Sequence, residues 1–523
     1  MNVNKRLGFG FDIDYTYGRG KYDSQSTALF NGNLFAYYHG DQYDMHFSFI
    51  NENLKVAENG GITDDRYITN PLEMAEGNRT YETYSIPTNL SNIWNNNTGY
   101  HAFLTHRYNL GFYRDETTEN DTITKEVFVP VTSFIHTVNV DINRRKYVSY
   151  DVDRMKNTLN ITTWERIHWT SPKTSLSRTP SALLREGFNK WAKAGLTVFA
   201  SFEHRNFTLT DTITGTPGRR IPTTHKENVL SIGGQLIKSQ GKTLHYNVLG
   251  EIAMIGEDAG QFSVEGQGDL NFRLFNDTVR LEANAYIKNL NPTFYYRHFH
   301  SKHYWWDNDL SKIMRTRIEG KLSIDRWRTQ LKAGVENITN YTYLDNASVK
   351  YTNANDVVSY KNDMAVRQHS GNIQVFSASL RQDFKLGILH LDNEITYQKT
   401  SNETVLPLPE LVLYHDLYIR FGLAKKVLSI EMGADMRYFT QYYAPDYAPA
   451  IGQFYLQNPD TRYKLGGYPL INGYINLHLK RTRIFVQMYN LLQRTGEKSY
   501  FLAPHYPLNP RILKVGLSWN FFD

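Results

Sequence analysis

Cysteine is absent from the chain, which excludes a disulfide framework, a cysteine-type zinc site and a thiol nucleophile. Long hydrophobic runs are absent too. No stretch approaches the roughly 18 consecutive apolar residues that a membrane-crossing helix needs. A mean hydropathy of −0.52 and a hydrophobic fraction of 41% exclude a bundle of such helices. Charge of one sign is scarce: 58 Lys and Arg stand against 52 Asp and Glu, spread along the chain rather than gathered in a basic stripe, so no nucleic acid partner is expected. The 523 residues show no linker rich in Pro, Gly or Ser, which favours one large domain, residues 1–523, over several small ones. Catalytic signatures are missing as well. There is no G-x-S-x-G elbow and no H-E-x-x-H pair, so no enzyme activity and no cofactor are expected.

What the chain does have is aromatic residues, 37 Tyr, 28 Phe and 8 Trp, set in a repeating period of two. In Val279–Lys288 the odd positions Val279, Leu281, Ala283, Ala285 and Ile287 are apolar, while Arg280, Glu282, Asn284, Tyr286 and Lys288 lie between them. Leu428–Tyr438 and Leu513–Phe521 repeat the pattern. A helix would spread charges such as Arg280 and Glu282 around most of its surface, so the strand reading wins. Similar segments, among them Leu7–Tyr17, Asp44–Ile50, Val138–Asn143, Leu244–Met254 and Gly473–Lys480, bring the count to roughly twenty strands of about ten residues, a length that crosses a hydrocarbon layer at barrel tilt.

The connections alternate between tight turns and long polar excursions. Tight turns are expected near Gln240–Gly241, Asn276–Asp277, Arg326–Trp327, Phe384–Lys385, Lys425–Lys426 and Arg481–Thr482, and long loops over Asn206–Thr224, Asn289–Lys312, Tyr341–Gln368, Thr400–Leu411, Gln441–Gly467 and Thr495–Leu508. Barrels of the bacterial outer membrane turn sharply on the periplasmic side and loop widely outside. The fold class expected is therefore all-β: a transmembrane antiparallel β-barrel with short periplasmic turns and long extracellular loops. An unpaired edge in lipid costs several kcal/mol for each bare backbone group, so the first strand is expected to pair with the last. Met1–Gly10 has basic residues but neither an apolar core nor a small-residue cleavage site. An exported protein needs such a signal, so a mature or N-terminally truncated form is expected.

Several segments resemble the Bacteroidota-type putative porin family: HYPLNPRILKVGLSWNFFD from His505, HRYNLGFYR from His106, FVPVTSFIHTV from Phe128, REGFNKWAKAGL from Arg185 and GYINLHLKRTRIFVQMYNL from Gly473. The resemblance is spread over most of the chain. It implies a large outer-membrane diffusion channel and carries no catalytic residues. The last strand also looks like the aromatic-ended signal read by the barrel insertion machinery, with Leu517, Trp519, Phe521 and Phe522 as its residues; Asp523 departs from the commonest pattern, which ends on the aromatic.

The polar strand faces nominate lumen-lining residues: Arg280, Glu282, Lys288, Arg317, Glu319, Lys321, Glu431, Asp435 and Arg437. Their interleaved signs imply a wide, weakly selective aqueous path; the plainer reading is that they pair across strands and stiffen the wall. Tyr15, Tyr17, Tyr438, Tyr442, Trp519 and Phe521 suit interfacial aromatic girdles, with ordinary packing as the alternative. His298, His300 and His303 form a histidine-rich outer loop. Nothing fixes a third ligand, so a solvated aromatic loop is expected there and no metal.

The function expected is passive diffusion of small hydrophilic solutes. A barrel this wide is either open or partly filled by folded-in loops. Three rivals stay open: the barrel portion of a TonB-dependent-type nutrient receptor lacking its plug, an outer-membrane enzyme with a hydrolytic site at the barrel rim, and a non-conducting barrel that serves as an assembly platform. The expected partners are outer-membrane lipid and lipopolysaccharide, the insertion machinery and the solutes; a homo-oligomer is also open.

Overall fold

Period-two alternation in the sequence becomes one antiparallel sheet of 20 strands in a computed structural model of the chain. The structure describes residues 4–75, 81–117, 124–150, 168–184, 194–212, 220–274, 277–301, 304–352, 358–361, 363–425, 427–493, 495 and 499–521. The wall strands are β1 (Leu7–Arg19), β2 (Ser26–His39), β3 (Tyr43–Ala57), β4 (Ile93–Thr117), β5 (Thr124–Ser149), β6 (His168–Leu184) and β7 (Gly195–Thr212). Then come β8 (Arg220–Lys238), β9 (Leu244–Gly256), β10 (Phe262–Leu274), β11 (Asp277–Leu290), β12 (Ile313–Ile324), β13 (Thr329–Asn346) and β14 (Met364–Leu386). The last six are β15 (Leu389–Thr400), β16 (Leu411–Leu423), β17 (Leu428–Phe439), β18 (Leu470–Leu479), β19 (Thr482–Tyr489) and β20 (Ile512–Trp519). Each pairs with its neighbours in sequence, the up-and-down order of a transmembrane β-barrel.

Several wall strands run well past the length expected. The loop expected over Asn206–Thr224 is largely strand, because β7 continues to Thr212 and β8 starts at Arg220. Tyr341–Gln368 likewise contains the end of β13, the start of β14 and a small hairpin, Val349–Thr352 with Val358–Lys361. Strand pairing needs only backbone hydrogen bonds, so a hairpin extends into water without the apolar alternation that marks its membrane segment. The turn expected at Phe384–Lys385 lies instead at Gly387–Ile388, where Gly387 takes φ +61°, a left-handed conformation that glycine adopts without strain. Asn276 and Lys426 of the expected turns lie outside the described residues.

The edges differ from expectation. Among the described residues β1 pairs only with β2, and β20 only with β19. Phe11 and Ile13 on one edge are 75% and 64% exposed and Val515 and Leu517 on the other 67% and 65%, against 47% for Val264 inside the wall. The expectation of a closed seam rests on the cost of bare backbone in hydrocarbon, a demand of the bilayer that neither strand's side-chain pattern encodes. At the outer rim, however, loops hold the two edges together. The Tyr22 hydroxyl, from the β1–β2 loop, donates to the Leu508 carbonyl at 3.0 Å, and the Ile62 N–H donates to the His505 carbonyl at 2.8 Å.

Candidate functional site

Register fixes which side chains share a face. Glu282 stands opposite Lys321 and Tyr286 opposite Arg317 across β11 and β12. Lys321 stands opposite Lys332, Lys332 opposite Ser379, Ser379 opposite Thr396, Thr396 opposite Val412 and Val412 opposite Phe439. Directly opposed residues point the same way and alternate residues agree. Arg280, Glu282, Lys288, Arg317, Glu319, Lys321, Glu431, Asp435 and Arg437 therefore all lie on one face of the sheet. The opposite face carries Leu281, Ile287, Ile318, Leu331, Phe376 and Leu417, all well exposed, as a surface solvated by lipid requires.

Most of those nine side chains have partners. Lys288 Nζ lies 2.6 Å from Glu265 and Lys321 Nζ 3.0 Å from Glu282. Glu319 meets Arg317 and, at 3.1 Å, Lys332; Glu431 meets Arg420; and Asp435 accepts a hydrogen bond from Asn472 at 2.9 Å. Arg437 lies over the Tyr414 ring, 5.8 Å from its centre. The polar wall is thus a lattice of opposite charges bonded across strands, with little unbalanced field.

The outer end is not an open mouth. One buried cluster gathers Tyr147 from β5, Leu344, Met364 and Val366 from β13 and β14, and Phe299, Tyr304, Ala448 and Ile451 from two loops. β5 and β14 stand nine places apart in a wall of twenty, so the cluster joins opposite sides of the barrel. Polar bonds follow the same route. Asn95 on β4 donates to the Pro449 carbonyl at 2.9 Å, Arg145 on β5 donates to the Ile451 carbonyl at 2.6 Å, and the Leu456 N–H donates to Leu344 on β13 at 3.0 Å. The segment between β17 and β18 therefore crosses the bore. A second cluster, with Ile62, Ile86, Leu465 and Phe501 at its centre, packs the β3–β4, β17–β18 and β19–β20 loops together. Burying a large apolar side chain contributes about 1.5–3 kcal/mol, enough across two clusters to hold these loops as a cap.

Two cavities result. One, of about 910 Å³, lies between the wall and the underside of the cap, lined by Asp416, Glu431, Asp435, Arg437, Tyr474 and Tyr500 among others. The other, of about 680 Å³, lies within the cap. Around it Tyr447 donates to Glu58 at 3.1 Å, Tyr455 to Asp446 at 3.0 Å and Tyr463 to Asp65 at 2.7 Å. The bond to Asp65, 3.0 Å from His505 Nδ1, holds the His505 imidazole above its ordinary pKa, and burial raises the carboxyls of Glu58 and Asp446.

The expected aromatic residues divide. Tyr15 and Tyr17 are exposed on β1, on the face that also carries Phe11 and Ile13, and Tyr438 is half-buried on β17. Leu517 and Trp519 are exposed on β20, with Trp519 stacked on Phe521 at 4.8 Å; Phe522 lies outside the described residues. Tyr442 is placed differently. β17 ends at Phe439, so Tyr442 has left the wall, bridges to Leu465 and packs against the second cluster. In the histidine loop, His298 and His300 both face Asp307, at 2.8 and 3.0 Å, and His303 lies outside the described residues. Among the described residues no group of His, Asp and Glu is placed to hold a metal ion.

Sequence reasoning missed the residues that build the cap, Glu58, Asp65, Arg145, Asp446, Tyr447 and Tyr506. The usable signal is the density of Tyr and Pro in 440–469 and 499–510, where a solvated loop would carry mainly small polar residues.

The family model described as "Putative porin" matches residues 1–523. No curated protein matches the chain in sequence. Among solved structures, the chain is similar to the ferric enterobactin receptor of Pseudomonas aeruginosa, with a TM-score of 0.64 and 12% identity over 99% of this chain and 76% of that one. It is also similar to the siderophore receptor PirA of Acinetobacter baumannii, with a TM-score of 0.61, 11% identity and coverage of 99% and 76%. The ferric-catecholate import receptor Fiu of E. coli gives 0.60, 11%, 99% and 78%. At such identities the likeness is one of fold.

Proposed function

The chain belongs to the "Putative porin" family and resides in the bacterial outer membrane, and on that premise we propose that it passes small hydrophilic solutes through a bore narrowed by its own loops. The observation that carries this reading is the continuous polar face, with Arg280, Glu282, Lys288, Arg317, Glu319, Lys321, Glu431, Asp435 and Arg437 on one side of the sheet and apolar side chains on the other. These nine then line the lumen. Because their charges are largely paired, the path discriminates weakly between ions and acts mainly by size. The reading includes no catalysis. Its partners are outer-membrane lipid and lipopolysaccharide at the apolar face, the insertion machinery at Leu517, Trp519, Phe521 and Phe522, and the solutes.

A second reading, the barrel of an energy-coupled nutrient receptor, draws support from the likeness to siderophore receptors and from the cap. Planar-bilayer recording of the purified protein separates the two. Steady steps without any energy source support the channel, whereas silence at every voltage overturns it in favour of the receptor or of an assembly platform.

A further inference from the structure

The polar wall is not uniform in how its charges are matched. On β10–β13 acids meet bases: Glu265 with Lys288, Glu282 with Lys321, Glu319 with Lys332 and Glu336 with Arg315. The cavity of about 910 Å³ beneath the cap is different. Of the charged side chains that line it, Glu431 alone is bonded to an opposite charge among the described residues, that of Arg420. Three acids and three bases are left over. Asp416 accepts from the Tyr474 hydroxyl at 2.9 Å and Asp435 from the Asn472 amide at 2.9 Å, while Glu394 stands opposite Tyr414. Arg437 lies over the Tyr414 ring, Lys514 Nζ lies 4.7 Å from the centre of the Tyr489 ring, and Arg483 donates to Asn476 at 2.9 Å. These charges are also sorted along the wall, the acids on β15, β16 and β17 and the bases on β17, β19 and β20.

The sorting selects a ligand class. Asp435 and Arg437 are two residues apart on one face of β17, about 6.6 Å at the rise of a strand, which is less than the screening length of roughly 8–10 Å in physiological salt. A solute of one sign therefore meets attraction and repulsion together and gains little. A neutral solute leaves all six charges without a counter-charge. A solute with a positive end and a negative end gains at both. Asp416 lies one strand from Arg437 and four from Lys514, so the span to be bridged runs from about 5 to about 19 Å at roughly 4.8 Å per strand. An extended tripeptide reaches about 10 Å, and the cavity falls in the range of roughly 300–1,000 Å³ that encloses small ligands. Between the charged groups, Gln487 and Tyr489 of β19 offer an amide and a hydroxyl to peptide N–H and C=O groups.

We propose that the cavity beneath the cap binds short zwitterionic peptides, with the ammonium end at Asp416, Asp435 and Glu394 and the carboxylate end at Arg437, Arg483 and Lys514. The assignment deepens the channel reading by naming a solute class for the same path, and it rests on that reading for which face of the sheet is the lumen.

The test is equilibrium dialysis of the whole chain in detergent against labelled trialanine with both termini free, alongside N-acetyl-trialanine, trialanine amide, and the peptide blocked at both ends. Citrate and spermidine are competitors of one sign. Free trialanine binds saturably, each single block weakens it about threefold, the loss of one partly exposed charge contact, and the double block weakens it about tenfold. Asp416→Asn weakens free trialanine about threefold and removes most of the effect of acetylation; Arg437→Gln does the same for amidation. A purely structural role would weaken every form alike. If either variant fails to fold, as judged by gel mobility before and after heating, Asp435→Asn or Lys514→Gln takes its place with the same expected pattern. The assignment is overturned if free trialanine does not bind, if the doubly blocked peptide binds as tightly, if the folded variants bind all forms unchanged, or if citrate or spermidine binds more tightly than trialanine. Conductance measured on the same preparation separates the two readings: conduction without peptide binding sinks only this assignment, and binding without conduction sinks only the channel.

Discussion

Arg145 donates a hydrogen bond to the carbonyl of Ile451 at 2.6 Å, although 306 positions separate the two in the chain. The same guanidinium reaches the Asn95 side chain and the Pro449 and Ala450 carbonyls. One wall residue thus anchors the segment that crosses the bore. Arg145→Ala is expected to loosen that segment and to raise single-channel current about twofold or more, with the barrel still resistant to unfolding in cold detergent. Unchanged current in planar bilayers would show that the crossing segment does not limit flow.

Cap stability should depend on pH in one direction. The folded pKa of His505 is raised first by its hydrogen bond to Asp65 and further by the charges of Asp65, Asp446 and Asp64. Its contribution is complete below an unfolded value of about 6.5 and is lost as pH rises through the folded value. Glu58 and Asp446, raised by burial, lose theirs as pH climbs from the ordinary carboxylate range of about 4. All three loosen the cap toward alkaline pH. Current at about pH 8 should exceed that at about pH 6, and His505→Gln should flatten that step; a channel that conducts better in acid contradicts the assignment.

Charge on the wall should matter little until its pairing is broken. Glu431→Gln with Asp435→Asn strips Arg420 of its carboxylate partner and removes two negative charges from the face that also carries Arg437. Reversal potentials in a salt gradient should then move toward anions, by about twofold or more in the permeability ratio. No movement would place these residues away from the conducting path.

Edge strands should be less protected than the wall's interior. Among the described residues β1 and β20 each have a strand partner on one side alone, so their amides should exchange with deuterium faster than those of β11, which is paired on both sides. Equal protection would mean that the edges meet in the solubilised protein.

The membrane-crossing part of the fold is legible because period two reports sidedness directly. Leu281 and Glu282 fall on opposite faces in the sequence pattern and in the sheet, and Leu428–Phe439 behaves alike. Strand that continues past the alternating segment, as β7 does to Thr212 and β8 does from Arg220, reads as loop because backbone pairing by itself selects no alternation of side chains. The cap was illegible for a different reason. Tyr147 and Met364 become neighbours only through the paths of intervening loops, and side-chain pattern along one strand has no bearing on what hangs over the bore. Tyr442 shows the same limit: its chemistry suits an interface, while its position beyond Phe439 sends it inward.

A hoop of hydrogen-bonded strands can flatten into an ellipse at small energetic cost, but a hoop with ties fixed across it cannot. The buried contacts that join Tyr147 to Met364 and Val366 through Phe299 and Ile451 are such ties, and they sit at one end of the cylinder. The extracellular circumference therefore keeps its shape when the surrounding lipid presses on it, so the deformation is taken up toward the opposite rim and, below the rim contacts, along the line between β1 and β20, where the described residues form no strand pair.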